Sequence, residues 1–207
     1  MIVLVLVSGV ASFDNRAFAR GSLTSIEGNL FLTGTKLVEK GKLADAVEVF
    51  KHLNQRKPYY FGPYFYLANI YSQLGDYQGA AAICEKALKR FPLDIRKMAR
   101  SSLRNSVYSQ FHYILGTAYL NLGRYDEAVD TLQLVLKSHN YKVPNSYWLT
   151  FYSKRPLKPE EFYAPVHFNL GAAYLSLGNK EAALDQYKKL QVLDKEKSEE
   201  LYNLINR

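Results

Sequence analysis

The stretch LGTAYLNLGRYDEA, residues 115–128, decides the fold, because the chain writes it more than once. Residues 170–183 read LGAAYLSLGNKEAA, and residues 67–80 read LANIYSQLGDYQGA. Aligning on the internal glycine gives Gly41, Gly75, Gly123 and Gly178, each followed five residues later by an alanine: Ala46, Ala80, Ala128 and Ala183. The glycines are 34, 48 and 55 residues apart, so a 34-residue unit occurs four times, with 14 and 21 residues added at two joints. A fixed period of this size marks a stack of small structural units.

Each unit reads as two short amphipathic helices. In the third, His112, Leu115, Gly116 and Tyr119 share one helical face. Gly123 suits a helix C-cap, where positive φ is cheap for glycine. Ala128, Leu132 and Val135 then form the apolar face of the second helix. Small residues at Gly34, Ala68, Gly116 and Gly171 let the paired helices approach, as do the four alanines from the other side. Pro58 and Pro92 end the second helix in the first two units. One helix pair cannot bury its apolar face alone, whereas stacked pairs share a continuous core and curve into a superhelix. Leu201, Leu204 and Ile205 give the C-terminal segment an apolar stripe suited to closing the stack, and residues 15–26 are a candidate for the other end.

The unit resembles the tetratricopeptide repeat, W-x2-L-G-x2-Y, then A-x3-F, then P. The first segment appears as Leu30, Thr33, Gly34, Leu37; as Tyr64, Leu67, Ala68, Tyr71; as His112, Leu115, Gly116, Tyr119; and as His167, Leu170, Gly171, Tyr174. The second appears as Ala46 with Phe50, Ala80 with Cys84, Ala128 with Leu132 and Ala183 with Tyr187. The chain departs from the pattern in lacking the tryptophan, and in carrying Asn140 and Lys195 at two closing-proline positions. The resemblance implies an all-α solenoid of about four helix-turn-helix repeats (27–60, 61–94, 109–142, 164–197) in one domain spanning 14–207. Insertions fall at 95–108 and 143–163, and a capping helix at about 197–206.

It also implies a non-catalytic interaction scaffold. In this family the first helix of each unit lines a concave groove. In register, the fifth position gives Phe31, Phe65, Tyr113 and Phe168, and the ninth gives Thr35, Asn69, Thr117 and Ala172. Rings beside short side chains suit an apolar or aromatic peptide or helix, with Asn69 bonding its backbone; the other reading is that the rings pack against the neighbouring helix or the aromatic insertion and line nothing. A branch of the family grips a C-terminal carboxylate with Lys, Arg and Asn at such positions; only Asn69 matches, so no carboxylate clamp is expected. The alternative is a permanent structural subunit of a larger, membrane-associated complex.

Of 207 residues, 48% are hydrophobic and 22% charged, ordinary for a globular chain, with 17 tyrosines and a net charge of +8. No long Lys/Arg run accompanies that charge, and nucleic acid is not an expected partner. Arg96, Arg100 and Arg104 fall four apart. On a helix they form a basic stripe, which is either a contact for an anionic partner or a solvated face. The second insertion carries an aromatic cluster that includes Trp148 and Phe151. Two readings stand open for it, folding back on the repeats or reaching out to a partner. Residues 1–13 are mostly apolar, too short to cross a bilayer as a helix. They read as a signal or anchor remnant, or as a packed tail; export or membrane attachment is slightly favoured over a cytoplasmic location. One cysteine, Cys84, allows no internal disulfide. No phosphate-binding loop, zinc motif or nucleophile elbow is present, so no catalysis, metal or cofactor is expected. His112 and His167 share one repeat position on the packing face, which points to a core role, as does the position of Cys84.

Overall fold

The computed structural model describes residues 25–91, 102–138 and 159–207. These residues form nine helices and no strand: α1 (Ser25–Glu39), α2 (Leu43–Arg56), α3 (Phe61–Leu74), α4 (Tyr77–Arg90), α5 (Ser102–Asn121), α6 (Tyr125–Ser138), α7 (Pro159–Ser176), α8 (Lys180–Leu193) and α9 (Lys195–Ile205). Successive helices pack on one another, α3 also meets α5, α5 meets α7, and α9 lies against both α7 and α8. That order of contacts is an all-α solenoid.

One turn joins the two helices of every unit. Gly41, Gly75, Gly123 and Gly178 have φ of 72°, 73°, 76° and 75°. In each case the glycine N–H donates to the carbonyl three residues back and the next N–H to the carbonyl five back, as in Gly75 to Ser72 at 3.2 Å and Asp76 to Tyr71 at 2.9 Å. This double cap satisfies the last carbonyls of the first helix, and a β-carbon at such φ carries a steric cost. The chain then enters the second helix directly, with Asp76 accepting from the Gly79 N–H at 2.8 Å and Asn179 from the Ala182 N–H at 3.0 Å.

Small residues set the spacing within a pair. Ala46, Ala80, Ala128 and Ala183 are each 0% exposed. A β-carbon on Gly34 would lie 2.6 Å from the Phe50 ring, and one on Gly116 2.7 Å from Leu132. In both units the hole over the glycine is filled by the unit's own second helix. The fourth unit differs: a β-carbon on Gly171 would meet Leu201 of α9 at 2.5 Å. Tyr187, at the place held by Phe50 and Leu132, is half-buried and stands 5.3 Å from the Tyr202 ring. The terminal helix takes over the filling because its Leu201 and Ile205 have no other surface to bury against. Asp194 ends α8 and caps α9 in one residue, accepting from the Lys197 N–H at 3.1 Å.

The joints between units are stitched by one residue type. Tyr71, Tyr119 and Tyr174 hold the eleventh place of their units; Lys51, Glu85 and Gln133 hold the twenty-fifth place of the unit before. Lys51 faces Tyr71 closely enough to interact electrostatically, the Tyr119 hydroxyl donates to Glu85 Oε1 at 2.8 Å, and Gln133 Nε2 donates to the Tyr174 hydroxyl at 2.9 Å. Both hydrogen bonds bridge the inserted segments, so the added residues leave the stacking register intact. The insertions also lengthen the helices that follow them. α5 has 20 residues and α7 has 18, against 15 and 14 for α1 and α3. Arg104 falls in the first turn of α5. Arg96, Arg100, Trp148, Phe151 and residues 1–13 lie outside the described residues.

Candidate protein-binding face

The first helices α3, α5 and α7 lie side by side, and the fifth and ninth places of their units sit along that layer. The structure turns most of these side chains inward. Phe31 is 1% exposed and packs edge-on against Phe50, Tyr60 and Tyr66, with ring centres 5.4–5.9 Å apart. Phe65 and Phe168 are buried, as are Thr35 and Ala172. Phe65 meets Tyr66 and Phe111 edge-on. Phe31 and Phe65 are closed off by other rings, and Phe168 by the cluster of Ala164, Ala183, Leu190, Leu201 and Ile205. The expected column of open aromatics is thus largely core, and Asn69, Tyr113 and Thr117 are the half-buried members.

Those three belong to a line of amides and hydroxyls. Asn69 Nδ2 donates to the Phe65 carbonyl at 2.8 Å, and its Oδ1 accepts from Gln110 Nε2 on α5 at 3.5 Å. Asn169 Nδ2 on α7 donates to Thr117 Oγ1 at 3.0 Å, and Asn121 Nδ2 donates to the Thr117 carbonyl at 2.8 Å. Tyr113 hydrogen-bonds Thr117 and Asn169, and burial raises its pKa. Gln110 and Asn169 are buried, with their polar heads spent on the neighbouring helix. Sequence reading missed both. For Gln110 the signal was there in the second place of the units, which reads Gly28, Gly62, Gln110 and Pro165. With the fifth and ninth places, these rows contain no side chain charged at neutral pH. The outer helices differ: Lys86, Lys89, Lys137 and Lys188 are all exposed.

Cys84, His112 and His167 are wholly or partly packed away. Cys84 is 0% exposed, and burial pushes its thiol pKa up, so it stays protonated. His167 is 9% exposed and its Nδ1 lies 2.8 Å from Gln186 Oε1. His112 is half-buried, and its Nδ1 has no protein partner. Burial pushes both imidazoles below the ordinary histidine value. Among the described residues no group of histidine, cysteine and carboxylate side chains is placed to hold a metal, and no helix is long and apolar enough to cross a membrane.

Repeat patterns described as tetratricopeptide repeat match residues 37–101, 109–138 and 164–203. No curated protein matches the chain. Among solved structures it is similar to MamA AMB-1, at 20% identity and a TM-score of 0.59 over 87% of this chain and 86% of that one. It is also similar to the MamA RS-1 ArsTM double mutant, at 18% identity and a TM-score of 0.62 over 84% and 79%. At these identities the likeness is one of fold. The matched residues take in the four repeated turns, the paired alanines and the stacked first helices; the chain belongs to the tetratricopeptide repeat family.

Proposed function

We propose that this protein is a non-catalytic scaffold that holds a peptide or helix of a partner protein against the layer of first helices, around Asn69, Tyr113 and Thr117. One observation carries the reading. The second, fifth and ninth rows of the first helices are free of charge in a chain that is 22% charged, and they carry amides and hydroxyls at half-buried points between rings. Such a face recognises an apolar segment through its side chains and its backbone, and gives an acidic or basic tail nothing to pair with. The buried rings beneath act as a rigid floor that keeps the polar groups in place.

The finer part of the proposal concerns location. The apolar stretch at residues 1–13 would attach the scaffold to a membrane or lead it out of the cytoplasm, and the bound partner would belong to an envelope or membrane complex. Deleting residues 1–12 should then change location and leave helicity and melting nearly unchanged. A fall of many degrees in melting temperature would make the segment part of the core.

A photo-crosslinking residue placed at position 113 tests the binding face, with position 86 on the outer helix α4 as the control. The expected result is a discrete adduct from position 113 that an excess of unlabelled protein competes away, and none from position 86. Adducts from position 86 alone would move the site to the outer face and favour the permanent structural subunit.

A further inference from the structure

The fourth place of each unit reads Leu30, Tyr64, His112 and His167. The first two units place hydrocarbon or a phenol there; the last two place an imidazole, half-buried in His112 and buried in His167. Tyr64 is 0% exposed and donates its hydroxyl to the Pro58 carbonyl at 3.1 Å. His167 faces Gln186 of α8 across 2.8 Å, a neutral amide that accepts one N–H and cannot balance a charge. His112 has a buried Nδ1 without a protein partner. On the helices packed around them, Lys189 of α8 is the charged group that acts on His167, and it opposes a second positive charge; burial is what acts on His112. Neither ring has a carboxylate acting on it among the described residues. The surrounding cores differ as well. A large aromatic and aliphatic cluster runs through units one to three and takes in Val166, Leu170, Ala172 and Ala173 on one side of α7. The other side of α7, with α8 and α9, rests on a small one of Ala164, Phe168, Ala183, Leu190, Leu201 and Ile205.

We infer that the solenoid is acid-sensitive along one half: as pH falls below neutral, protonation of His112 and His167 loosens the third and fourth repeats while the first two hold. A proton on His167, or on the buried Nδ1 of His112, must either stay as an unpaired charge in the core or reach water by opening the helix pair. The opening would reach the proposed binding face, because Asn169 lies on α7 two residues from His167 and bonds Thr117 on α5. Acidification therefore releases a partner held there. The acid sensitivity itself does not depend on the partner.

Hydrogen exchange read segment by segment at pH 7.5 and 5.5, corrected for intrinsic rates, tests it. The expected result is a loss of protection in α5–α9 more than about threefold greater than in α1–α4. In a variant carrying His112→Tyr and His167→Tyr, the residue the second unit already uses, that difference should vanish. Equal loss in both halves, or a larger loss in α1–α4, would overturn the inference. Should the variant fail to fold, NMR titration of the unaltered protein decides: both rings should titrate below 6.5, and titration at or above that value would overturn it.

Discussion

The two ends of the solenoid fill the same hole with different parts. In the first unit the space over Gly34 is closed by Phe50, which stacks on Tyr66 at 4.7 Å and meets Phe31 edge-on. In the fourth the space over Gly171 is closed by Leu201 from the next helix, within a small mixed cluster and near the buried His167–Gln186 pair. A repeat thus fixes where a side chain is needed and leaves open which helix supplies it. At the N-terminal end the filling is local and aromatic, and at the C-terminal end it depends on a capping helix that could detach.

Truncation gives the largest expected effect. Phe50→Ala should cost about 4 kcal/mol, because the ring is fully buried among other rings that cannot collapse into its space. Leu201→Ala should cost about 2–3 kcal/mol and show local loss of protection in α9 before global unfolding. Urea melts of both variants check this, and equal costs would mean the two ends are packed alike. Crowding comes next. Gly34→Ala drives a methyl into a ring held on several sides and should cost about 2–3 kcal/mol; Gly171→Ala meets the tip of a flexible leucine and should cost about 1 kcal/mol. Ala128→Leu, in the third unit, should cost about 1–3 kcal/mol by the same mechanism, and a neutral result would mean the helix pairing around Ala128 is mistaken. The smallest effect lies at the joints. Tyr119→Phe removes a hydrogen bond to a carboxylate and should cost about 1 kcal/mol, more than Tyr174→Phe, whose partner is a neutral amide.

The pH dependence should follow the same division. Both buried imidazoles bind protons less readily folded than unfolded, so the unfolded chain takes up more protons as pH falls through the ordinary histidine range. The stability they carry is full above about 6.5 and declines below it. His112→Tyr and His167→Tyr should flatten the curve between pH 7 and 5, read from urea midpoints.

Much of this architecture could be read from the sequence, for a reason specific to glycine. The four turns demand positive φ, and Gly41, Gly75, Gly123 and Gly178 supply it at a visible period. The paired alanines were legible because their places admit nothing larger. The tyrosines at the joints were visible as repeat positions, but their partners were not, since Lys51, Glu85 and Gln133 share no chemistry. The binding face was the least legible. The family register marks Phe31, Phe65 and Phe168 as groove residues, and the structure buries all three, because exposure depends on how closely the next helix approaches and no single unit encodes that distance. Leu201 over Gly171 was hidden likewise, since it comes from outside the unit.

The central claim is that partners are held on the charge-free rows of the first helices. The most direct test is the affinity, by titration calorimetry, of the partner captured at position 113 for the unaltered protein, for Tyr113→Ala and for Lys86→Ala, each shown by circular dichroism to be folded. Tyr113→Ala should weaken binding by more than about 1 kcal/mol, and Lys86→Ala should leave it unchanged. Full affinity in Tyr113→Ala, together with loss in Lys86→Ala or in high salt, would contradict the account and place the partner on the outer helices around Lys86.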